Sequence, residues 1–278
     1  MVLLEWSKLP KYDLRGRNVL ITGASSGIGR ELSRCFAAEG SNLALGSHPS
    51  EKDMLERWTA ELAEKYPVGV SGFPIDLAEV SGPEGLYDSV KRTVGRIDVL
   101  VNNAGILHYG HFSEISLKDH EALIEVNVIA YFKLMRLFLP DMVKAGGGRI
   151  LNVVSTAAFQ PTPHHAAYGA SKAFMQSLSE AVNGELKGTG VKVLTFNPSY
   201  TRTPLLSRGG FPPRVWWYRI SGLSDPGDMA RKAMKAFKKE KTLYIPGIRN
   251  WLVHSVLIRV VPRGLLNTLS TWVLREER

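Results

Sequence analysis

The run Asn18-Val19-Leu20-Ile21 leads straight into Thr22-Gly23-Ala24-Ser25-Ser26-Gly27-Ile28-Gly29, and Arg30–Glu39 then reads as a helix. A strand, a glycine-rich turn and a helix in direct succession form the repeating unit of open parallel sheets. The pattern continues downstream. Asn42–Leu45 predicts a second strand, Val68–Pro74 a third, Asp98–Val101 a fourth, Arg149–Val154 a fifth and Val191–Phe196 a sixth. Between them Glu51–Tyr66 and Ala166–Leu186 predict helices, the second stopping near Gly188. Gly146-Gly147-Gly148 reads as a helix stop before the fifth strand, not as a linker. The strands are apolar at consecutive positions, as a parallel sheet with helices on both faces requires.

The expected architecture is therefore α/β: a single-domain, Rossmann-like, doubly wound parallel sheet with helices on both faces. It runs through residue 248, with a lid near 204–226 and an amphipathic, basic C-terminal extension over 249–278. A chain that is 44% hydrophobic and 22% charged is not disordered as a whole. A lone cysteine, Cys35, excludes an intramolecular disulfide and reads as a packed helix residue. The start Met1-Val2-Leu3-Leu4-Glu5 meets a charge too early for a signal peptide, so the expected location is cytoplasmic. The net charge of +9 raises the question of nucleic acid. Its distribution answers it: residues 1–204 carry 21 basic and 21 acidic side chains, and residues 205–278 carry 14 and 5. The part that holds every motif is neutral, and no nucleic acid is expected as a partner.

The glycine segment has the spacing G-x-x-x-G-x-G at the first strand-to-helix turn. A pyrophosphate needs close backbone approach and a positive helix N-terminus, and glycines permit the approach because they lack Cβ. A glycine-rich turn without a ligand is the plain alternative. The downstream segments of the chain decide between them. Asp76-Leu77 comes after the third strand, and Asn102-Asn103-Ala104-Gly105 after the fourth. Asn127 sits in Val126-Asn127-Val128, and Ser155 ends the fifth strand. Tyr168-Gly169-Ala170-Ser171-Lys172 lies 13 residues beyond Ser155. Taken in order, over residues 15–247, these segments resemble the short-chain dehydrogenase/reductase family.

That resemblance implies an oxidoreductase that interconverts a carbonyl and a secondary alcohol with a nicotinamide cofactor. It implies a catalytic set of Asn127, Ser155, Tyr168 and Lys172. Tyr168 and Lys172 are four apart and share a helix face. An ammonium there is expected to lower the phenol pKa and let Tyr168 act as acid or base. Ser155 would orient the substrate oxygen, and Asn127 would hold a water that links Lys172 to solvent. The cofactor contacts implied are Gly23, Ser25, Ser26, Gly27, Ile28 and Gly29 in the loop, then Ser47, His48, Asp76 and Leu77. Asn103, Ala104, Gly105, Tyr168, Lys172, Pro198, Ser199, Thr201 and Thr203 complete them. Ser199 stands where the family has Gly, which puts the local backbone shape in question.

At the end of the second strand Ser47 occupies the place of the acid that holds the NAD ribose, and His48 falls where relatives that use NADP carry Arg. NADP(H) is favoured over NAD(H). No metal is expected. His164 and His165, just before Tyr168, read as rim residues without assigned chemistry. The lid is apolar and aromatic, with adjacent Trp216 and Trp217. Either it packs on the sheet or a neighbouring subunit, or it walls a site for a large lipophilic carbonyl. Arg208, Arg214 and Arg219 could instead meet an anionic head group.

The basic helix over Gly227–Lys241 reads as a solvated face, and Leu243–Pro246 as the last strand. Beyond it, Asn250–Val261 and Leu265–Leu274 are amphipathic, with Arg249, Arg259, Arg263 and Arg275 at their edges. Neither approaches the ~20 residues needed to span a bilayer. Contact with a membrane surface, contact with a second subunit and packing on the same chain are the three readings. The tail is similar to that of DltE-like, very-long-chain 3-oxoacyl reductase and hydroxysteroid dehydrogenase relatives. A homo-oligomer is expected from the resemblance. A non-catalytic cofactor-binding scaffold or sensor, and a peripheral membrane adaptor, are the competing functions.

Overall fold

A computed structural model describes residues 12–274, so the N-terminal residues 1–11 and Arg275 of the expected tail lie outside the described part. Seven strands form one sheet: β1 (Asn18–Thr22), β2 (Asn42–Ser47), β3 (Val70–Pro74), β4 (Val99–Asn102), β5 (Gly148–Val153), β6 (Val191–Phe196) and β7 (Leu243–Tyr244). Their order is β3-β2-β1-β4-β5-β6-β7, and every pairing is parallel. The strand order reverses between β1 and β4, so the crevice beyond their carboxyl ends is where a ligand sits in such sheets.

Consecutive apolar residues divide between two cores because side chains alternate along a strand. Val19, Ile21, Leu43, Leu45, Val99 and Val101 enter one core. There they meet α1 (Gly27–Ala38), α2 (Lys52–Lys65) and α9 (Pro226–Lys238). Leu20, Ala44 and Leu100 enter the other, with α3 (Gly82–Thr93), α5 (Ala130–Lys144) and α6 (Ala166–Glu185). Six residues of α5, from Ala130 to Met142, are therefore buried. Phe132 and Val143 keep its outer side apolar and exposed. The face of α9 expected to be solvated is partly paired, since Lys238 meets Glu39 and Arg231 meets Asp228.

A third apolar cluster lies beyond the strand ends. It joins Leu107, Leu123 of α4 (Leu117–Ile124), Ala157 and Tyr168 to Phe211, Val215 and Trp217 of the lid and to Leu274 of the tail. The lid contains α7 (Pro204–Arg208) and α8 (Trp217–Ser221). The tail contains α10 (Ile248–Leu252), a wider turn over Val253–Leu257, α11 (Ile258–Val260) and α12 (Arg263–Leu274). One side of the tail packs on its own chain: the Trp272 ring lies 4.7 Å from that of Trp216, and the Tyr109 hydroxyl donates to the Leu274 carbonyl at 2.9 Å. No described helix is long and apolar enough to cross a membrane.

Candidate active site

Tyr168 and Lys172 project from the first turns of α6, both buried. The Lys172 ammonium donates to the Val153 carbonyl at 3.2 Å and lies 5.6 Å from the centre of the Tyr168 ring. Ser155 comes just after β5 and caps a short turn over Thr156–Phe159, its hydroxyl accepting from the Ala157 amide at 3.1 Å. Burial pushes the Tyr168 phenol up to about 12, with a hydrogen bond to Ser155 pulling the other way. Burial brings Lys172 down to about 7. The lowered Tyr168 pKa expected from its lysine is thus not what the protein alone gives. Both groups are desolvated, and each is pushed toward its neutral form.

Asn127 sits in a π-turn, Glu125–Ile129, between α4 and α5. Such turns widen a helix locally and recur at functional sites. Its side chain is clamped: Oδ1 accepts from the Ile106 amide and Nδ2 donates to the Ile106 carbonyl, each at 2.8 Å. Nδ2 also donates to Ser171 Oγ at 3.2 Å. Gly105 stands between this clamp and the lysine. A Cβ there would lie 3.4 Å from Asn127 Oδ1 and 3.8 Å from Lys172 Nζ. The missing side chain leaves a gap bordered by both groups.

The glycine loop is fitted to its surroundings atom by atom. Gly27 has φ +56°, which favours glycine, and Thr203 from the lid closes over it. A Cβ on Gly29 would come within 2.3 Å of the Gly23 carbonyl oxygen and 2.4 Å of Asn103 Nδ2. Asn103 braces the loop, donating to the carbonyls of Thr22 and Gly23 at 2.9 and 3.1 Å. Thr22 Oγ1 accepts from the amides of Asn103 and Ala104 at 3.0 and 3.1 Å. The first turn of α1 carries no acid, and Ser26 at its cap makes no side-chain capping bond. Ser26, Gly27 and Ile28 of this terminus line the crevice, where an anion would meet the positive end of the helix. Ser199 Oγ is buried without a partner at the far end of the same crevice. A nicotinamide dinucleotide would fit this set, with the glycine loop and α1 terminus to hold its pyrophosphate and Ser199 to meet a polar group of the ring end.

All these expected residues line one cavity of about 570 Å³ except Gly29 and Asn127, which stand behind its wall. At the adenosine end the structure adds carboxylates that the second strand alone does not announce. His48 Nε2 lies 3.3 Å from Asp76 Oδ2. Glu51, at the entry to α2, binds both Ser25 of the loop and Arg208 of α7. Only folding brings Arg208 to Glu51, and no local motif marks that pair. At the other end Trp217, Leu205, Leu206 and Tyr200 form the wall. His165 also lines the cavity and is buried, not a rim residue; burial takes its pKa down to about 3. His164 is half-buried beside it with φ +67°. Trp216 faces the tail instead, against Trp272, while Trp217 lines the cavity.

The short-chain dehydrogenase family model matches residues 17–209. The ketoacyl reductase HetN of Nostoc sp. is 33% identical over 231 residues, covering 82% of this chain and 78% of that protein. A short-chain dehydrogenase from Sphingobium yanoikuyae, solved with NADPH, superposes with a TM-score of 0.78 at 28% identity, covering 94% of this chain and 98% of that one. The 3-ketoacyl-(acyl-carrier-protein) reductase of Brucella melitensis, solved with NADH, gives 0.73 at 27% identity, covering 85% and 99%. Sheet order, glycine loop and family match together make this chain a member of the short-chain dehydrogenases, a pyridine-nucleotide oxidoreductase of alcohol and carbonyl groups.

Proposed function

We propose that the chain interconverts a bulky lipophilic ketone and its secondary alcohol with NADP(H). One observation carries this reading. A single cavity runs from the glycine loop, past Tyr168 and Ser155, to a wall of Leu107, Leu205, Leu206 and Trp217. The bound nicotinamide would supply or take the hydride. The protein supplies the rest. Tyr168, protonated in the neutral range with its pKa near 12, donates its phenolic proton to the carbonyl oxygen as the alcohol forms. Ser155 donates a second hydrogen bond to that oxygen. Lys172 and the gap at Gly105 lead a proton back to the phenolate, with Asn127 fixing the far side.

Support for NADP(H) comes from the adenosine end. Ser47 leaves β2 without an acid, and the nearby carboxylates are already engaged, Glu51 by Arg208 and Ser25, Asp76 by His48. Ser26, which makes no capping bond, is the neighbour left for a 2′-phosphate, and Ser25 and His48 would meet it by exchanging Glu51 and Asp76. The ketoacyl reductases among the relatives are consistent with a 3-oxoacyl or comparably apolar ketone. Exposed Phe132 on α5 and Phe174 on α6 support a homo-oligomer paired through those helices.

Oxidation of NADPH and of NADH across ketones of rising size is the test. Faster turnover with large apolar ketones, and tighter binding of NADPH than NADH, are expected. Cofactor binding with no turnover of any ketone would favour the scaffold reading.

A further inference from the structure

We propose that the outer face of the C-terminal segment is a docking surface for an anionic lipid bilayer. This goes beyond the catalytic reading and does not rest on it. The tail has two apolar sides. Its inner side is used by the fold: His254, Ser270 and Leu274 are buried, and Val253 and Val273 pack into the third cluster. Its outer side is not. Ile248 is 69% exposed, Leu257 53%, Val260 73% and Leu265 53%, and Trp251, Leu252, Val256 and Leu269 are each more than two-fifths exposed. The spacing is helical within each part, with 248, 252, 256 and 260 four apart, and 265 and 269 four apart on α12. Single exposed apolar side chains need no explanation, but eight within 22 residues mark a surface that meets something.

Charge selects the occupant. Arg249, Arg259 and Arg263 are exposed, and none makes an ion pair among the described residues. From Lys241 to Leu274 there is no aspartate or glutamate. A second copy paired through the same face about a two-fold axis would set arginine against arginine with no carboxylate within 241–274 to answer, Glu276 and Glu277 lying outside the described residues. A sheet of anionic headgroups over hydrocarbon answers both features, with apolar side chains below the headgroups and arginines among them. No described helix crosses a membrane, so the contact is interfacial. The inner side of the same segment backs the substrate wall, with the Trp217 ring 5.9 Å from that of His254. A lipophilic substrate would thus leave the lipid close to the cavity.

Flotation with vesicles tests the surface, using phosphatidylcholine alone and phosphatidylcholine mixed with phosphatidylglycerol. The full chain should float with the mixed vesicles, less with the neutral ones, and less again as salt rises. Trp251→Asp with Leu257→Asp should lower the floated fraction by about tenfold or more. Each of Arg249→Gln, Arg259→Gln and Arg263→Gln should weaken binding to mixed vesicles about fivefold. These side chains are exposed and outside the cavity, so thermal unfolding and NADPH binding of the variants should match the parent chain. The proposal is overturned if the parent does not float with anionic vesicles, or if the aspartate pair floats equally well. It is also overturned if light scattering shows a dimer that the aspartate pair splits while neither chain binds vesicles.

Discussion

The two ends of the cavity are built on different principles. The cofactor end is backbone: strand termini, a glycine turn and a helix N-terminus, held by Thr22 and Asn103 within a few residues of the β1 and β4 ends. The substrate end is side chains drawn from four distant stretches, and one of its ties joins Tyr109 to Leu274, 165 residues apart. Phe211 packs behind its wall, 4.8 Å from the Tyr109 ring, 5.0 Å from Tyr200 and 5.5 Å from His165. The first end tolerates almost no change in shape, since a Cβ on Gly23 or Gly29 would collide with backbone. The second can vary by repacking, and under the proposed function it is where substrate choice would be set.

Tyr168 lies at the junction, and its replacement should divide the two ends most sharply. Tyr168→Phe removes the acid and leaves the ring. Turnover should fall about a thousandfold or more, while NADPH affinity measured by fluorescence stays within about twofold. If affinity falls as far as turnover, Tyr168 belongs to the cofactor end and the division fails. Gly29→Ala should do the reverse. Its Cβ collides with the Gly23 carbonyl and the Asn103 amide, both fixed, so the loop must move. NADPH affinity should drop about a hundredfold, with a loss of roughly 1–3 kcal/mol in stability from overpacking. A melting curve and a titration of the same sample read both.

The same division explains what is legible in the sequence. The strands, the glycine loop and the set of Asn127, Ser155, Tyr168 and Lys172 are local patterns tied to strand ends, so order along the chain places them. Glu51 reads only as the start of a helix, because its partners Ser25 and Arg208 lie 26 and 157 residues away. His165 reads as a rim residue, because its burial depends on Phe211 and Tyr109 folding over it. A fall in the Tyr168 pKa is what one lysine neighbour predicts. Desolvation needs the whole surrounding wall, which no motif carries.

Acid should attack the substrate end first. Burial lowers His165 to about 3 and His254 to about 4, against about 6.5 for a free imidazole. Above pH 6.5 both states hold these rings neutral, and stability does not depend on them. As pH falls from 6.5 toward 4 the unfolded chain takes up protons that the folded chain refuses, so stability is lost. For His254 alone the loss by pH 4 is roughly 3 kcal/mol. Unfolding midpoints between pH 8 and 4 should show this decline, and His254→Phe should flatten part of it. An unchanged slope in that variant would remove His254 from the account. Trp217→Ala is a milder probe of the same end. It should raise KM for a bulky ketone about tenfold and leave a small ketone within about twofold.

The smallest effect separates the ends most finely, because it concerns a gap and not a group. Gly105 has no Cβ, and the space is bordered by Asn127 Oδ1 and Lys172 Nζ. In Gly105→Ala the new methyl would meet them at 3.4 and 3.8 Å, ordinary contact distances, and φ at this residue is not positive. The substitution should therefore neither strain the backbone nor lower the melting temperature. What it removes is room for a water between the amide and the amine. If that water returns the proton to Tyr168 after each reduction, kcat should fall about three- to tenfold, with KM for ketone and NADPH unchanged. The solvent isotope effect on kcat should rise, since proton return would then limit the rate. A variant with parental kcat and isotope effect would leave the gap as packing, and Lys172 would reach solvent by another route.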